Sequence, residues 1–150
     1  ALGQGSITRS AESREEGSSE LREVPIELLR IAFKKNYYRT ELLRKIEEIS
    51  KYDKADTAKL LNLMIFWLRD AALLSRGANE NRIINIDRTD VLKKFTSAYK
   101  DKDLLSGVRI VEDAVSLIPR NINVRVILIS MFSKLRAVFL YGKEGYDIDL

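Results

Sequence analysis

After a polar opening, apolar positions recur at helical spacing through most of the chain. Ile26, Leu29, Phe33 and Tyr37 step by three and four residues, the spacing of one helical face, and predict a helix near 25 to 38 with Pro25 suited to its first turn. Thr40 and Glu41, followed by Leu42, Leu43, Ile46 and Ile49, predict a second, short amphipathic helix. Asp53 or Asp56 can cap a third. Its sequence from Thr57 to Arg76, TAKLLNLMIFWLRDAALLSR, is apolar over most of its circumference, which places it inside a bundle, and Gly77 is a suitable stop.

Beyond a polar loop with Asn79 and Asn81, a brief apolar stretch at Ile83, Ile84 and Ile86 precedes Asp87, a plausible cap for a helix to about Tyr99. Asp101 or Asp103 can cap the next, in which Leu104, Val108, Val111, Val115 and Ile118 form a packed seam that Pro119 ends. The last segment is ambiguous because NVRVILIS is β-branched and reads alone as a buried strand. Length decides for helix: Val124, Leu128, Met131, Leu135 and Val138 carry the seam on with no turn signal before Gly142. The expected fold is all-α, a bundle of five or six helices over residues 23–142, with residues 1–22 as a linker or the end of a preceding domain and 143–150 as a loose tail.

Composition narrows the function. A chain of 150 residues suits one domain, and 45% hydrophobic with 32% charged residues is too apolar for disorder and too charged for a membrane span. The chain has no Cys and no His, so thiolate chemistry is excluded and the commonest metal ligand and neutral-pH base are missing. No phosphate-binding loop of the GxxxxGK[ST] or GxGxxG type occurs. Neighbouring carboxylates such as Glu47 and Glu48, or Glu112 and Asp113, point about 100° apart on a helix and read as solvated charge. No catalytic, metal-binding or cofactor-binding residue is therefore expected, and the chain reads as a non-enzyme. The net charge of +4 reads as an ordinary solvated surface. With no initiator Met and no apolar leader, the chain reads as a fragment or processed product in a cytoplasmic setting.

Two places stand out for polar residues among apolar ones. Trp67, Arg69 and Asp70 lie in the apolar third helix; Trp67 suits the core with its indole N–H seeking an acceptor, and the two ionisable groups must pair internally or face another chain. Arg120, Asn121 and Asn123 sit in the PRNIN corner between the last two helices, where either amide can cap the final helix and the cation suits the end of the preceding one.

LLNLMIFWLRDAALL, NIDRTDVLKKFTSAY and LLSGVRIVEDAVSLIPRNINVRVILISMFSKL, in that order between Glu41 and Leu140, resemble the C-terminal helical collar domain of the delta-prime subunit of the bacterial DNA polymerase III clamp loader, with gamma/tau collars as near relatives. GQGSITRSA, Gly3 to Ala11, is similar to the end of the lid domain of clamp-loader ATPases, Arg9 standing where that family carries a basic residue; Ser10 and Ser13 depart from its Ala-Leu pattern. The resemblance implies an oligomerisation module that holds five subunits in a ring, does no chemistry, and meets DNA only indirectly through the assembled complex. Its implied partners are the gamma/tau and delta subunits, with no membrane and no small-molecule substrate, and Trp67, Arg69, Asp70, Arg120, Asn121 and Asn123 become candidates for the subunit interface. The alternative is a helix-turn-helix nucleic-acid binder using Lys93, Lys94, Lys100 and Lys102.

Overall fold

The computed structural model describes residues 23–77, 79, 82–84, 88–99 and 102–141. Among these the chain is an all-α bundle of six helices: α1 (residues 23–32), α2 (Arg39–Ile49), α3 (Lys54–Ser75), α4 (Thr89–Tyr99), α5 (Leu104–Leu117) and α6 (Val124–Tyr141). The expected cap at Asp87 and the segments 1–22 and 143–150 lie outside the described residues.

Three of the expected caps form. Asp53 accepts from the Asp56 N–H at 2.7 Å and starts α3; Asp103 accepts from the Ser106 N–H at 3.0 Å and starts α5; Asn123 accepts from the Arg125 N–H at 2.8 Å and starts α6. Gly77, at φ 81, supplies the left-handed turn after α3.

The centre is α3. Leu60, Leu61, Met64, Ile65, Trp67, Leu68, Ala71 and Ala72 are all buried, because α5 packs along one side of the helix and α4 along another. Lys54 at the start of α3 donates to the carbonyl of Pro119 just past α5, so the two helices are antiparallel. α6 folds back along α5, and at Gly107 a Cβ would stand 3.0 and 3.1 Å from the Phe139 ring. Phe139 in turn stacks on Phe33 with centroids 4.5 Å apart, and Tyr99, Phe95 and Trp67 extend the ring cluster across α4 to α3.

The first helix ends earlier than its apolar spacing predicts. Phe33 closes α1 and stays buried, but Tyr37, expected on the buried face, is 94% exposed and adopts φ 60. The cause lies far along the chain: the guanidinium Nη1 of Arg136, on α6, donates to the carbonyls of Ala32 and Lys34, stopping the helix there, and packs 3.3 Å from the Tyr38 ring centroid. A cation at the carbonyl end of a helix is favourably placed against the helix dipole, and these bonds let Arg136 be buried.

Candidate subunit-contact surface

α2 runs antiparallel to α6. Tyr38 meets Arg136 at one end and Glu47 meets Arg125 at the other, where Arg125 Nε and Nη2 each donate to Glu47 at 2.7 Å. This bidentate pair holds the Glu47 carboxyl below the usual carboxylate range, chiefly through the Arg125 hydrogen bond, and it lies on the outer side of the seam. One helical turn along each helix, on that same outer side, Leu43 and Ile129 come level with each other. Both are exposed, as are Val126, three residues before Ile129 on α6, and Ile122 in the corner that leads into α6. The result is an apolar stripe of Ile122, Val126, Ile129 and Leu43 with the charged pair beside it.

The PRNIN corner forms one end of this stripe. Arg120, Asn121 and Asn123 are exposed around Ile122, the Arg120 N–H donates to Leu117 O at 3.1 Å, and the Ile122 N–H donates to Arg120 O at 2.7 Å. Asn123 serves as the cap described above. The side-chain cation that reaches the end of α5 is Lys54.

The other three candidates lie elsewhere. Trp67 is buried in the aromatic cluster, edge-on to Phe95, and its indole N–H finds no acceptor among the described residues. Asp70 is fully buried and accepts from the Ile84 N–H at 3.0 Å, fastening the loop after α3 to the bundle. Both side chains thus serve the interior of this chain. Arg69 is exposed and 3.9 Å from Glu112 of α5, on a part of α3 about 22 Å along the helix from Lys54 and the corner. The structure therefore gathers Arg120, Asn121 and Asn123 into one surface and leaves Trp67, Arg69 and Asp70 out of it. Sequence reasoning missed Leu43, Val126 and Ile129 as surface residues. The signal that marks them is the tertiary register of α2 on α6, to which the Glu47 and Arg125 pair, 78 residues apart, gives the key.

Residues 28–135, more than half of the chain, match the family described as DNA polymerase III, delta subunit, C terminal. The chain belongs to that family. No curated protein and no solved structure matches it. As a DNA polymerase III clamp-loader C-terminal domain it interacts with other clamp-loader components, and a surface for doing so is what the geometry has to supply. The apolar stripe has the chemistry of such a surface: single exposed apolar side chains are ordinary, whereas a contiguous set with a polar rim marks an interaction site. Among the lysines of the alternative reading, Lys93 and Lys94 are adjacent on α4 and so diverge by about 100°, Lys102 is exposed after the helix, and Lys100 lies outside the described residues. No helix of the described residues is long and apolar enough to cross a membrane.

Proposed function

We propose that this chain is a collar: a non-catalytic helical module, working in the cytoplasm, by which a clamp-loader subunit is held to its neighbours in a five-membered ring that loads the sliding clamp during DNA replication. The observation that carries the reading is the stripe of Ile122, Val126, Ile129 and Leu43, ending in the Arg120 and Asn121 corner, on a member of this family. The family match supports a clamp-loader C-terminal domain, and the resemblance of its helices to the delta-prime collar favours the delta-prime position, with gamma/tau and delta subunits as its neighbours.

Chemistry supports the assignment to a contact role. The buried polar residues of the bundle are used structurally: Thr57 and Thr96 bond back to their own helices, Asp70 holds a loop and Arg136 ends a helix. What the α2 and α6 edge adds, beside its charged side chains, is exposed apolar surface, whose removal from water is worth roughly 25 cal/mol per Å² before the costs of association.

The test is assembly. Arg120→Glu and Asn121→Glu, introduced singly, are expected to weaken association with the remaining clamp-loader subunits in size-exclusion chromatography while leaving the circular dichroism of the chain unchanged. Loss of helicity would make the corner part of the core, and unchanged association would remove it from the interface.

A further inference from the structure

One segment of the chain is locally rich in cations and poor in acids. Of its 26 Lys and Arg and 22 Asp and Glu, residues 28–46 hold six cations (Arg30, Lys34, Lys35, Arg39, Arg44 and Lys45) and one acid, Glu41, which leaves 20 cations against 21 acids everywhere else. These residues therefore carry a local positive excess, bordered by Glu27 on one side and by Glu47 and Glu48 on the other. Lys34 is paired with Glu41 at 2.9 Å and Lys45 with Glu27 at 3.4 Å, while Arg30, Lys35, Arg39 and Arg44 are exposed. A local excess of this kind attracts polyanions through counterion release.

The middle of the patch carries an aromatic ring aimed at water. Tyr37 is 94% exposed, and its φ of 60 lies in the left-handed region, which a bulky side chain adopts only when its surroundings hold it there. The loop holds it there because Arg136 bonds the carbonyls of Ala32 and Lys34 on one side of Tyr37 and packs on the Tyr38 ring on the other. The ring is thus presented on a fixed base, with Lys35 and Arg39 two residues away on either side.

We infer that residues 30–44 form a binding site for single-stranded nucleic acid, with Tyr37 as a stacking platform for an unpaired base and Arg30, Lys35, Arg39 and Arg44 as partners for the flanking phosphates. Charge alone would suit any polyanion. The exposed ring selects a strand with unstacked bases, because a base inside a duplex offers no free face to a side chain, whereas base-aromatic stacking is a principal source of affinity for single strands. Its binding groups, Arg30, Lys35, Tyr37, Arg39 and Arg44, are not stripe residues, although Leu43 of the stripe is the neighbour of Arg44 on α2, and the inference does not rest on the collar reading.

The experiment uses the whole 150-residue chain and fluorescein-labelled (dT)20, read by fluorescence anisotropy at low and moderate salt, with a 20-base-pair duplex as the comparison probe. The chain binds (dT)20 more tightly than duplex; Tyr37→Ala weakens binding about tenfold at constant salt while Tyr37→Phe retains it. Lys35→Gln with Arg39→Gln lowers the steepness of the salt dependence by about 1.4 in the log–log slope, near 0.7 for each phosphate of the single strand that is no longer neutralised. Val126→Lys leaves (dT)20 binding unchanged, which separates this site from the subunit-contact stripe. No binding of (dT)20 at low salt, tighter binding to duplex, or less than about a threefold loss in Tyr37→Ala overturns the inference. So does a Tyr37→Ala chain that binds (dT)20 normally but fails to associate with the remaining clamp-loader subunits, since the ring then faces a protein.

Discussion

The two halves of α6 read alike in sequence but are covered to different extents: the first buries one side, with Ile127, Leu128, Met131 and Phe132, and the second is buried on nearly every side. In the first half, Arg125 is exposed and paired with a carboxylate, and Val126 and Ile129 project into water. In the second, Leu135, Arg136, Ala137, Val138 and Phe139 are buried in succession, and the arginine is bonded to carbonyls at the end of α1. The difference is coverage. Around Phe139 and Arg136, the end of α1 with Phe33, and Tyr99 of α4, close over α6, whereas Val126 and Ile129 are left 58% and 42% exposed. Apolar content along a helix therefore does not say how much of it the chain itself can hide, and the uncovered half is the part available to a neighbour.

Truncating a ring in the covered half tests this difference most severely. Phe139→Ala is expected to lower unfolding stability by about 4 kcal/mol in urea titration, and Val126→Ala to change it by less than about 0.5 kcal/mol. Equal losses would mean that the two halves are equally buried. The arginines offer a second contrast: Arg136→Met removes charge-assisted bonds to Ala32 and Lys34 and leaves buried carbonyls without donors, at a cost of about 3 kcal/mol, whereas Arg125→Met is expected to give no resolvable change because an exposed pair contributes little.

Gly107→Ala probes where the covered half meets α5. The added methyl meets a Phe139 ring that is stacked on Phe33 and cannot retreat freely, so overpacking outweighs the gain in helix propensity, for a net loss of about 1 kcal/mol in the same titration. A net gain would show that the ring has room to move.

The smallest effect is on pH. Glu47, bonded by Arg125, and the caps Asp53 and Asp103, bonded by backbone and side-chain donors at Asp56 and Ser106, have folded pKa values below their ordinary ones. A depressed folded value means that the unfolded chain takes up protons first. The associated stability is present above the ordinary carboxylate range, about pH 4, and is lost as pH falls below it through the folded values. Thermal midpoints are thus expected to be flat above about pH 5 with respect to these groups and to decline below about pH 4. Glu47→Gln should leave that decline almost unchanged, because its exposed pair with Arg125 contributes little.

Much of the fold was legible because it is set locally. The steps of three and four residues in α5 and α6 mark their buried seams, and Asp53, Asp103 and Asn123 cap helices through partners two or three residues away. What was not legible depends on residues distant in sequence. The end of α1 is fixed by Arg136, 104 residues from Ala32, so the spacing that put Tyr37 on the buried face had no means of registering the stop. Asp70 looked like a charge in need of a partner, and it accepts from the backbone N–H of Ile84 in a loop whose path the sequence does not reveal. The surplus of apolar residues in α3 and α6 was visible, but not its division: no large apolar side chain of α3 is exposed, whereas α6 leaves Val126 and Ile129 uncovered. Of the site, the Arg120 to Asn123 corner was found from its contrast with the runs around it, and the charge concentration in residues 28–46 was diluted by counting over the whole chain.

The stripe on α2 and the first half of α6 is, on this reading, where the domain meets its neighbours. The chain contains no cysteine, so Val126→Cys creates a single reporter on the stripe, and Ser97→Cys creates one on the exposed side of α4. Rates of maleimide labelling, measured with and without the remaining clamp-loader subunits, report which surface they cover. Labelling at position 126 is expected to slow at least about tenfold on assembly while position 97 keeps its rate; unchanged labelling at 126 in a chain that has assembled would contradict the collar surface proposed above.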